Sequence, residues 1–256
     1  MRKNTAHNRI RLWAVVFWLL VWQGAGMMLA ARYSHGHLLL ATPVDALRCL
    51  LQLAATEAFW QAITHSALRI LGGFLASCLA ASALAIPAAR WSRVRELMAP
   101  LVAGIKAVPV ASFIILALVW LNSRSLAFFI AFLMVFPPVY LNVLQGICQA
   151  DRKLLEMARV FHASIWRQVR AIYLPAVLPY FRTAASLGLG LCWKAGIAAE
   201  VIGLPVGSIG ENLYQAKVYY LTPELFAWTA MIVMVSVLFE KLFLRLVDAL
   251  VKRVGA

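Results

Sequence analysis

Three ionisable residues, Lys106, Lys194 and Glu200, lie within long apolar stretches of the sequence. Charged side chains inside a bilayer are costly, and they usually face a partner or a water-filled pathway. Lys194 and Glu200 are six residues apart and lie on different sides of a helix, so we do not expect them to pair with each other. We expect instead that Glu200 pairs with Lys106 or that Lys194 pairs with a carbonyl group. Together with the adjacent Trp193, they are predicted to line a pathway across the membrane, which would suit an anionic solute. The alternatives are a buried structural pair between helices, or snorkelling of Lys106 and Glu200 to the membrane surface.

The sequence lacks the short motifs of common ATP-binding and hydrolytic sites. It has no phosphate-binding G-x-x-x-x-G-K-[ST] loop, no G-x-S-x-G motif and no H-E-x-x-H motif. Ser208 has no nearby histidine as a base, and His35 and His37 have no third metal ligand close in sequence. The cysteine spacing indicates neither a metal site nor a disulfide: Cys49, Cys78, Cys148 and Cys192. We therefore expect no enzymatic activity and no cofactor.

The composition indicates an integral membrane protein, because 63% of the residues are hydrophobic and 13% are charged. A spanning helix needs about 20 mainly apolar residues. Six stretches approach or meet this length: Leu12–Ala31, Ile70–Ala89, Leu97–Leu121, Leu126–Ile147, Thr183–Leu204 and Leu225–Phe239. They lack the period-two alternation of a membrane barrel, so we predict an all-α fold with six transmembrane helices. The first stretch is too long for a typical removable signal peptide and has no small-residue cleavage site, so we expect it to be retained.

The net charge of +14 could indicate nucleic-acid binding, but the cations are distributed as in a membrane protein. With a cytoplasmic N-terminus, the cytoplasmic segments hold most of them: Arg2, Lys3, Arg9, Arg11, Arg90, Arg93, Arg95, Arg152, Lys153, Arg159, Arg167, Arg170, Arg182, Lys241, Arg245, Lys252 and Arg253. The external segments hold Arg32, Arg48, Arg69, Arg124 and Lys217. Because cytoplasmic loops are enriched in Lys and Arg, we predict that both termini are cytoplasmic and that the cations contact lipid headgroups, not nucleic acid.

The predicted topology divides the chain into three parts. Residues 1–64 contain the first span and an external amphipathic helix that begins at Pro43. Residues 65–250 contain the other five spans and a charged cytoplasmic loop, 148–182, and residues 251–256 form a tail.

The loop 148–182 is predicted to form two short amphipathic helices. Asp151 is a good N-cap for the first helix, whose apolar face holds Leu154, Met157, Ala158 and Phe161. Ser164 can cap the second, in which Ile165, Val169 and Ile172 form a stripe. The next membrane helix is expected to begin at Leu174-Pro175, because a residue before proline is disfavoured in helical geometry.

The junction of the two short helices is predicted to be a docking surface for another protein. Its apolar part is formed by Leu154, Phe161, Ala163 and Ile165. Glu156 is expected to orient the loop through hydrogen bonds or an ion pair with a nearby arginine, such as Arg159 or Arg167. The alternative is an ordinary basic loop on the lipid headgroups.

This loop resembles the coupling loop of bacterial ABC-importer permeases, whose signature is Glu-Ala-Ala, three residues, Gly, nine residues and Ile-x-Leu-Pro. The positions in register are Glu156, Ala158, Ile172, Leu174 and Pro175. Met157 replaces the first alanine of the signature. His162 replaces the glycine, which is useful there for its positive-φ freedom, and histidine is one of the few other residues tolerated in that geometry.

Further segments are similar to permeases of the sulfonate, nitrate and taurine branch, and the similarity covers roughly residues 43–247. They are Pro43–Leu47, His65–Phe74, Lys106–Val110, Trp193–Glu200 with Gly203, and Ser208–Gly210.

The resemblance implies a type I ABC importer permease of MetI-like architecture in the bacterial inner membrane. Two permease copies, expected to be identical, would form the pathway, and an external solute-binding protein would deliver a sulfonate-, nitrate- or taurine-like solute or a vitamin precursor. Separate cytoplasmic ABC ATPase subunits would dock on the coupling residues: Glu156, Ala158, Phe161, His162, Ala163, Ile172, Leu174 and Pro175. The alternatives are an ion-coupled secondary transporter, for which broken helices but no internal repeat are found, and an intramembrane enzyme.

Overall fold

The computed structural model describes residues 12–33 and 39–254, and the regular elements in these ranges are helices. The prediction of an all-helical fold is confirmed for this part of the chain. Several sequence-based expectations lie outside it: those for the cations up to Arg11, for the pair His35 and His37, and for the end of the tail.

The helices within the described ranges are α1 (Leu12–Arg32), α2 (Pro43–Ala54), α3 (Glu57–Arg90), α4 (Ser92–Ala107), α5 (Val110–Ala117), α6 (Ser123–Cys148), α7 (Arg152–Val160), α8 (Ile165–Gln168), α9 (Leu174–Gly203), α10 (Ile209–Val218) and α11 (Thr222–Val254). A π-helical turn, Val169–Tyr173, joins α8 to α9.

Among the described residues, four helices are long and apolar enough to cross a membrane: α1, α3, α6 and the continuous helix from Ile165 to Gly203. α4 and α5 meet at an angle of 103°, and they make a fifth candidate span if the bent pair is counted as one. They separate at Val108, whose backbone is extended because the ring of Pro109 disfavours helical geometry at the preceding residue. The sixth predicted span, Leu225–Phe239, lies within α11. The arrangement of six spans with both termini in the cytoplasm stays a prediction.

Glycines allow α3 to pack closely against both α6 and α9. A Cβ atom at Gly73 would lie 2.2 Å from the carbonyl oxygen of Phe128, and one at Gly196 would lie 2.6 Å from Ile70. Small residues permit such close backbone approach in membrane helices, where dispersion and polar contacts replace the hydrophobic effect. These glycines therefore bring α3 into direct contact with both α6 and α9.

The chain forms two compact units. The first comprises the described residues up to Phe59 together with Leu213–Met231, and its contacts include aromatic ring pairs. Phe59 packs on Trp228 with ring centroids 4.7 Å apart, and Trp22 donates a hydrogen bond to the carbonyl oxygen of Ala41 at 3.0 Å. The second comprises Trp60–Asn212 and the residues from Ile232 onward, and it contains the loop 148–182 and the intramembrane charges.

Candidate functional site

The first helix of the loop, α7, is delimited by local hydrogen bonds at both ends. Asp151 caps it, since its Oδ1 accepts a hydrogen bond from the amide of Lys153 at 2.9 Å, as predicted. At the other end the amide of Ala163 donates to the carbonyl of Ala158 at 2.8 Å, and His162 has a φ of 50°. This pattern is a Schellman motif, which needs one residue in the left-handed region. The structure confirms that His162 adopts the backbone geometry that glycine would provide.

The second helix of the loop differs from the prediction. Ser164 precedes α8, but its side chain makes no capping hydrogen bond. The expectation that Leu174 leaves helical geometry is wrong, because its φ of −63° and ψ of −46° are helical. The π-helical turn before Pro175 widens the backbone, and this accommodates the proline ring and its missing amide. The loop therefore continues without a break into the membrane helix α9.

A small buried cluster fixes the two arms of the loop against each other. Ala150, Ala158 and Ile172 are buried, and Ala163 is among the partly buried residues that pack on them. Ala158 and Ile172 are residues of the permease signature. In this chain they pack against each other between the two arms of the loop 148–182, and this packing fixes the shape of the loop. Substitutions in this cluster would alter the loop geometry before they altered any outer surface.

The loop tip, which we define as Val160, Phe161, Ile165 and Trp166, is exposed. These side chains are 74%, 76%, 79% and 83% accessible, respectively. A group of large apolar side chains in water marks an interaction site, whereas single ones are common. Phe161 and Ile165, which were predicted to belong to the docking surface, are exposed, whereas Val160 and Trp166 were not predicted from the sequence. The feature of the sequence that indicates them is the pair of adjacent apolar residues on each side of the turn, Val160-Phe161 and Ile165-Trp166.

The predicted contact between Glu156 and a neighbouring arginine is absent from the described residues. The Glu156 carboxylate is exposed, and within the described residues it forms no ion pair with Arg159 or Arg167. An exposed pair of this kind contributes little, about 0–1 kcal/mol, so its absence costs the loop little.

Glu200 lies at the centre of a buried polar network. Its Oε2 accepts hydrogen bonds from Ser66 Oγ at 2.7 Å and from the amide of Gly210 at 3.2 Å. Its Oε1 lies 3.6 Å from Nη1 of Arg69, with which it forms an ion pair. The predicted pairing of Glu200 with Lys106 is therefore wrong, because helix packing brings α3 rather than α4 to this carboxylate.

The network fastens the start of α10 to the membrane helices. Ser66 Oγ also accepts a hydrogen bond from the amide of Ile209 at 3.0 Å. A carboxylate beside free amides at a helix N-terminus is electrostatically favourable. A Cβ atom at Gly210 would lie 2.3 Å from the Cβ of Glu200, so only glycine permits this approach. These contacts agree with the alternative that Glu200 forms a buried structural pair between helices. Its partners Ser66 and Arg69 were not predictable from sequence spacing, because they precede Glu200 by more than 130 residues.

The other intramembrane candidates occupy different surroundings. Trp193 is buried, and its ring centroid lies 6.0 Å from that of Phe239. Lys194 and Lys106 are exposed, and within the described residues neither forms an ion pair. A lysine that faced lipid at the middle of a span would cost about 2.5–3.5 kcal/mol. The structure thus distinguishes Lys194, which is exposed, from Trp193, which packs between helices.

Two further polar contacts connect α9 to α11 and were not found in the sequence. Arg182 donates to both carboxylate oxygens of Asp248, with the Nη2–Oδ2 contact at 3.1 Å. Ser186 Oγ donates to Oε1 of Glu240 at 2.6 Å. Both contacts lie in the first half of α9, so they connect this half of the helix with α11.

Comparison with known proteins identifies similar chains. The family model described as "Binding-protein-dependent transport system inner membrane component" matches residues 73–256. A probable ABC transporter permease protein of Brucella melitensis is 32% identical over 198 residues, which cover 75% of this chain and 78% of that protein. The taurine transport system permease protein of Escherichia coli is 26% identical over 209 residues, covering 79% and 76%. The putative aliphatic sulfonates transport permease protein of Bacillus subtilis is 26% identical over 234 residues, covering 90% and 82%.

Proposed function

Because the chain belongs to the family of binding-protein-dependent transport system inner membrane components, we propose that it is the permease subunit of an ATP-driven importer for a small solute. Members of this family are multi-pass proteins of the inner membrane and are transport subunits rather than enzymes. Its relatives include permease proteins named for the transport of taurine, aliphatic sulfonates, bicarbonate and riboflavin. An external solute-binding protein would deliver the solute to the permease.

The exposed loop tip is the observation that carries this proposal. A separate cytoplasmic ATPase subunit that covers Phe161, Ile165 and Trp166 would remove their apolar surface from water, which is favourable by about 25 cal/mol per Å². The buried cluster of Ala150, Ala158 and Ile172 keeps the hairpin rigid under such a contact. Since the helix from Ile165 to Gly203 is continuous, a displacement of the loop tip would move α9.

The proposed assembly contains two copies of this chain and two ATPase subunits in a lipid bilayer. Closure of the ATPases on ATP would move the loops and reorient the membrane helices, so that the pathway opens alternately to each side. Each chain would cross the membrane six times with both termini in the cytoplasm. Lys194 and Lys106, which are exposed, are the proposed pathway residues, whereas Trp193 and Glu200 would support them by packing.

Co-purification with the ATPase encoded beside this chain tests the docking site. We expect Trp166→Ser and Phe161→Ser to lose most of the bound ATPase and of the solute-dependent ATP hydrolysis, with unchanged insertion into the membrane. Trp91→Ser is the matched control, because Trp91 is also an exposed tryptophan but lies outside the loop, between α3 and α4. Normal ATPase binding by both loop variants would refute the docking proposal. Uptake that continues without any ATPase would instead favour an ion-coupled secondary transporter.

Reporter fusions test the proposed topology. Reporters placed after Ala256 and near Arg167 are expected in the cytoplasm, and one near Gln52 is expected outside. If the reporters at Arg167 and Gln52 were found on the same side, the arrangement of six spans would be wrong.

A further inference from the structure

One face of α9 remains uncovered although the helix is packed on its other sides. Lys194 is exposed, whereas both of its neighbours in sequence, Trp193 and Ala195, are buried. α9 packs on α3 through Gly196 and on α6 through Gly188, where added Cβ atoms would lie 2.6 Å from Ile70 and 3.1 Å from Val135. Among the described residues, no such close helix contact covers the side of α9 that carries Lys194.

The uncovered side forms a continuous stripe along the helix. We define the α9 stripe as Leu187, Leu191, Lys194, Ala198 and Ile202, which are exposed except for the half-buried Ala198. Their spacing of three or four residues places them on one face. Gly190 lies beside the stripe, and a Cβ atom there would meet no other atom within 4 Å. The stripe is therefore open along about four helical turns.

The position of Lys194 in the membrane argues against a lipid-facing stripe. Lys194 precedes the end of α9 by nine residues, or about 13 Å at 1.5 Å per residue. This depth lies near the centre of a hydrocarbon layer about 30 Å thick. Leucine and isoleucine would suit lipid there, but an ammonium group needs water or a counter-ion. Within the described residues no carboxylate pairs with it.

We propose that the α9 stripes of two copies of this chain face each other across the translocation pathway, and that their Lys194 ammonium groups jointly bind an anionic group of the solute. This inference rests on the proposed function, which supplies two copies and a pathway. A two-fold axis places the same surface on both sides of an interface, so one lysine per chain becomes a pair. Two ammonium groups close together repel each other, and a sulfonate, carboxylate or bicarbonate between them removes the repulsion. A neutral solute does not, so the pair selects for anions.

Cross-linking tests the position of the stripe. In full-length chains whose native cysteines are replaced by serine, Leu191→Cys is expected to join two copies through a short thiol-specific cross-linker. Leu79→Cys is the control, because Leu79 is also exposed on a membrane helix but lies on α3. Cross-linking of Leu79→Cys and not of Leu191→Cys would overturn the proposed interface.

Transport tests the role of the charge. The complete importer is reconstituted in vesicles with its ATPase and binding protein, and uptake of ethanesulfonate, bicarbonate, taurine and riboflavin is measured to find the transported solute. We expect Lys194→Met and Lys194→Gln to reduce uptake of an anionic solute by on the order of tenfold, about 1.4 kcal/mol of binding. Lys194→Arg should retain most of it. ATPase binding should stay normal, which distinguishes this result from a failure of the docking site.

Two results would overturn the anion site. The first is unchanged uptake of an anionic solute by Lys194→Met and Lys194→Gln. The second is riboflavin as the transported solute with an equal loss in these variants, because a neutral molecule does not need the charge. If Lys194→Met fails to insert in the membrane, Lys194→Gln and Lys194→Arg give the same comparison.

Discussion

Glu200→Ala is expected to destabilise the protein strongly, because the Glu200 carboxylate connects α3, α9 and the start of α10. The residue is 1% exposed, and its side chain accepts hydrogen bonds from Ser66 and Gly210 and pairs with Arg69. Removing one partner of a buried ion pair costs about 3–5 kcal/mol, because the other charge stays buried. The Arg69 side chain keeps 20% exposure, so water recovers part of this cost and we expect about 3 kcal/mol.

Thermal unfolding of the detergent-solubilised protein, followed by circular dichroism, measures this effect. A loss of about 3 kcal/mol corresponds to a decrease in Tm on the order of 10 °C for a chain of this size. Glu156→Ala is the matched control, since Glu156 is an exposed glutamate of the same fold and its loss should change stability by less than about 0.5 kcal/mol. Equal Tm values for Glu200→Ala and Glu156→Ala would refute the argument that the network holds these helices together.

A double substitution separates the ion pair from the hydrogen bonds. Replacing both members of a buried pair with apolar residues is often close to neutral, whereas replacing one is not. We therefore expect Arg69→Met combined with Glu200→Met to be less destabilised than Glu200→Met alone. If the effects of the two single substitutions simply add, Arg69 and Glu200 do not interact and the 3.6 Å contact has no energetic role.

Three further predictions follow from local geometry. Gly210→Ala should lower the Tm and the folded yield in detergent because its Cβ atom would lie 2.3 Å from a carbon of α9, whereas Gly104→Ala, with nothing within 4 Å, should not. Arg182→Asp should lower the Tm by repulsion from Asp248, and adding Asp248→Arg should restore it; no recovery would mean that the bidentate contact is unimportant. His162→Gly should raise stability by about 1 kcal/mol, measured by thermal unfolding, because glycine adopts a φ of 50° without strain; a lower Tm would show that the histidine side chain stabilises the loop.

Features that depend on neighbouring residues were predictable from the sequence. The apolar stretches, the all-helical fold and the Asp151 cap follow from composition and from contacts within one helical turn. The left-handed geometry at His162 follows from the glycine position of the signature. The π-helical turn before Pro175 was not predictable in this way, because the rule for residues before proline describes a local preference that a continuous helix can override.

The sequence by itself determined that this chain is a helical membrane protein of the importer permease family, and that a short amphipathic helix capped by Asp151 lies in the loop 148–182. These properties depend on composition and short-range spacing, because an apolar stretch in the bilayer must satisfy its backbone hydrogen bonds internally and therefore forms a helix. Only the tertiary structure decided which charged residue has a partner. Glu200 and Ser66 are separated by 134 positions, so their contact depends on how α3 and α9 pack. Rules based on short sequence spacing cannot predict such a contact. The same packing buries Trp193 and leaves Lys194 exposed, although the two residues are adjacent in sequence.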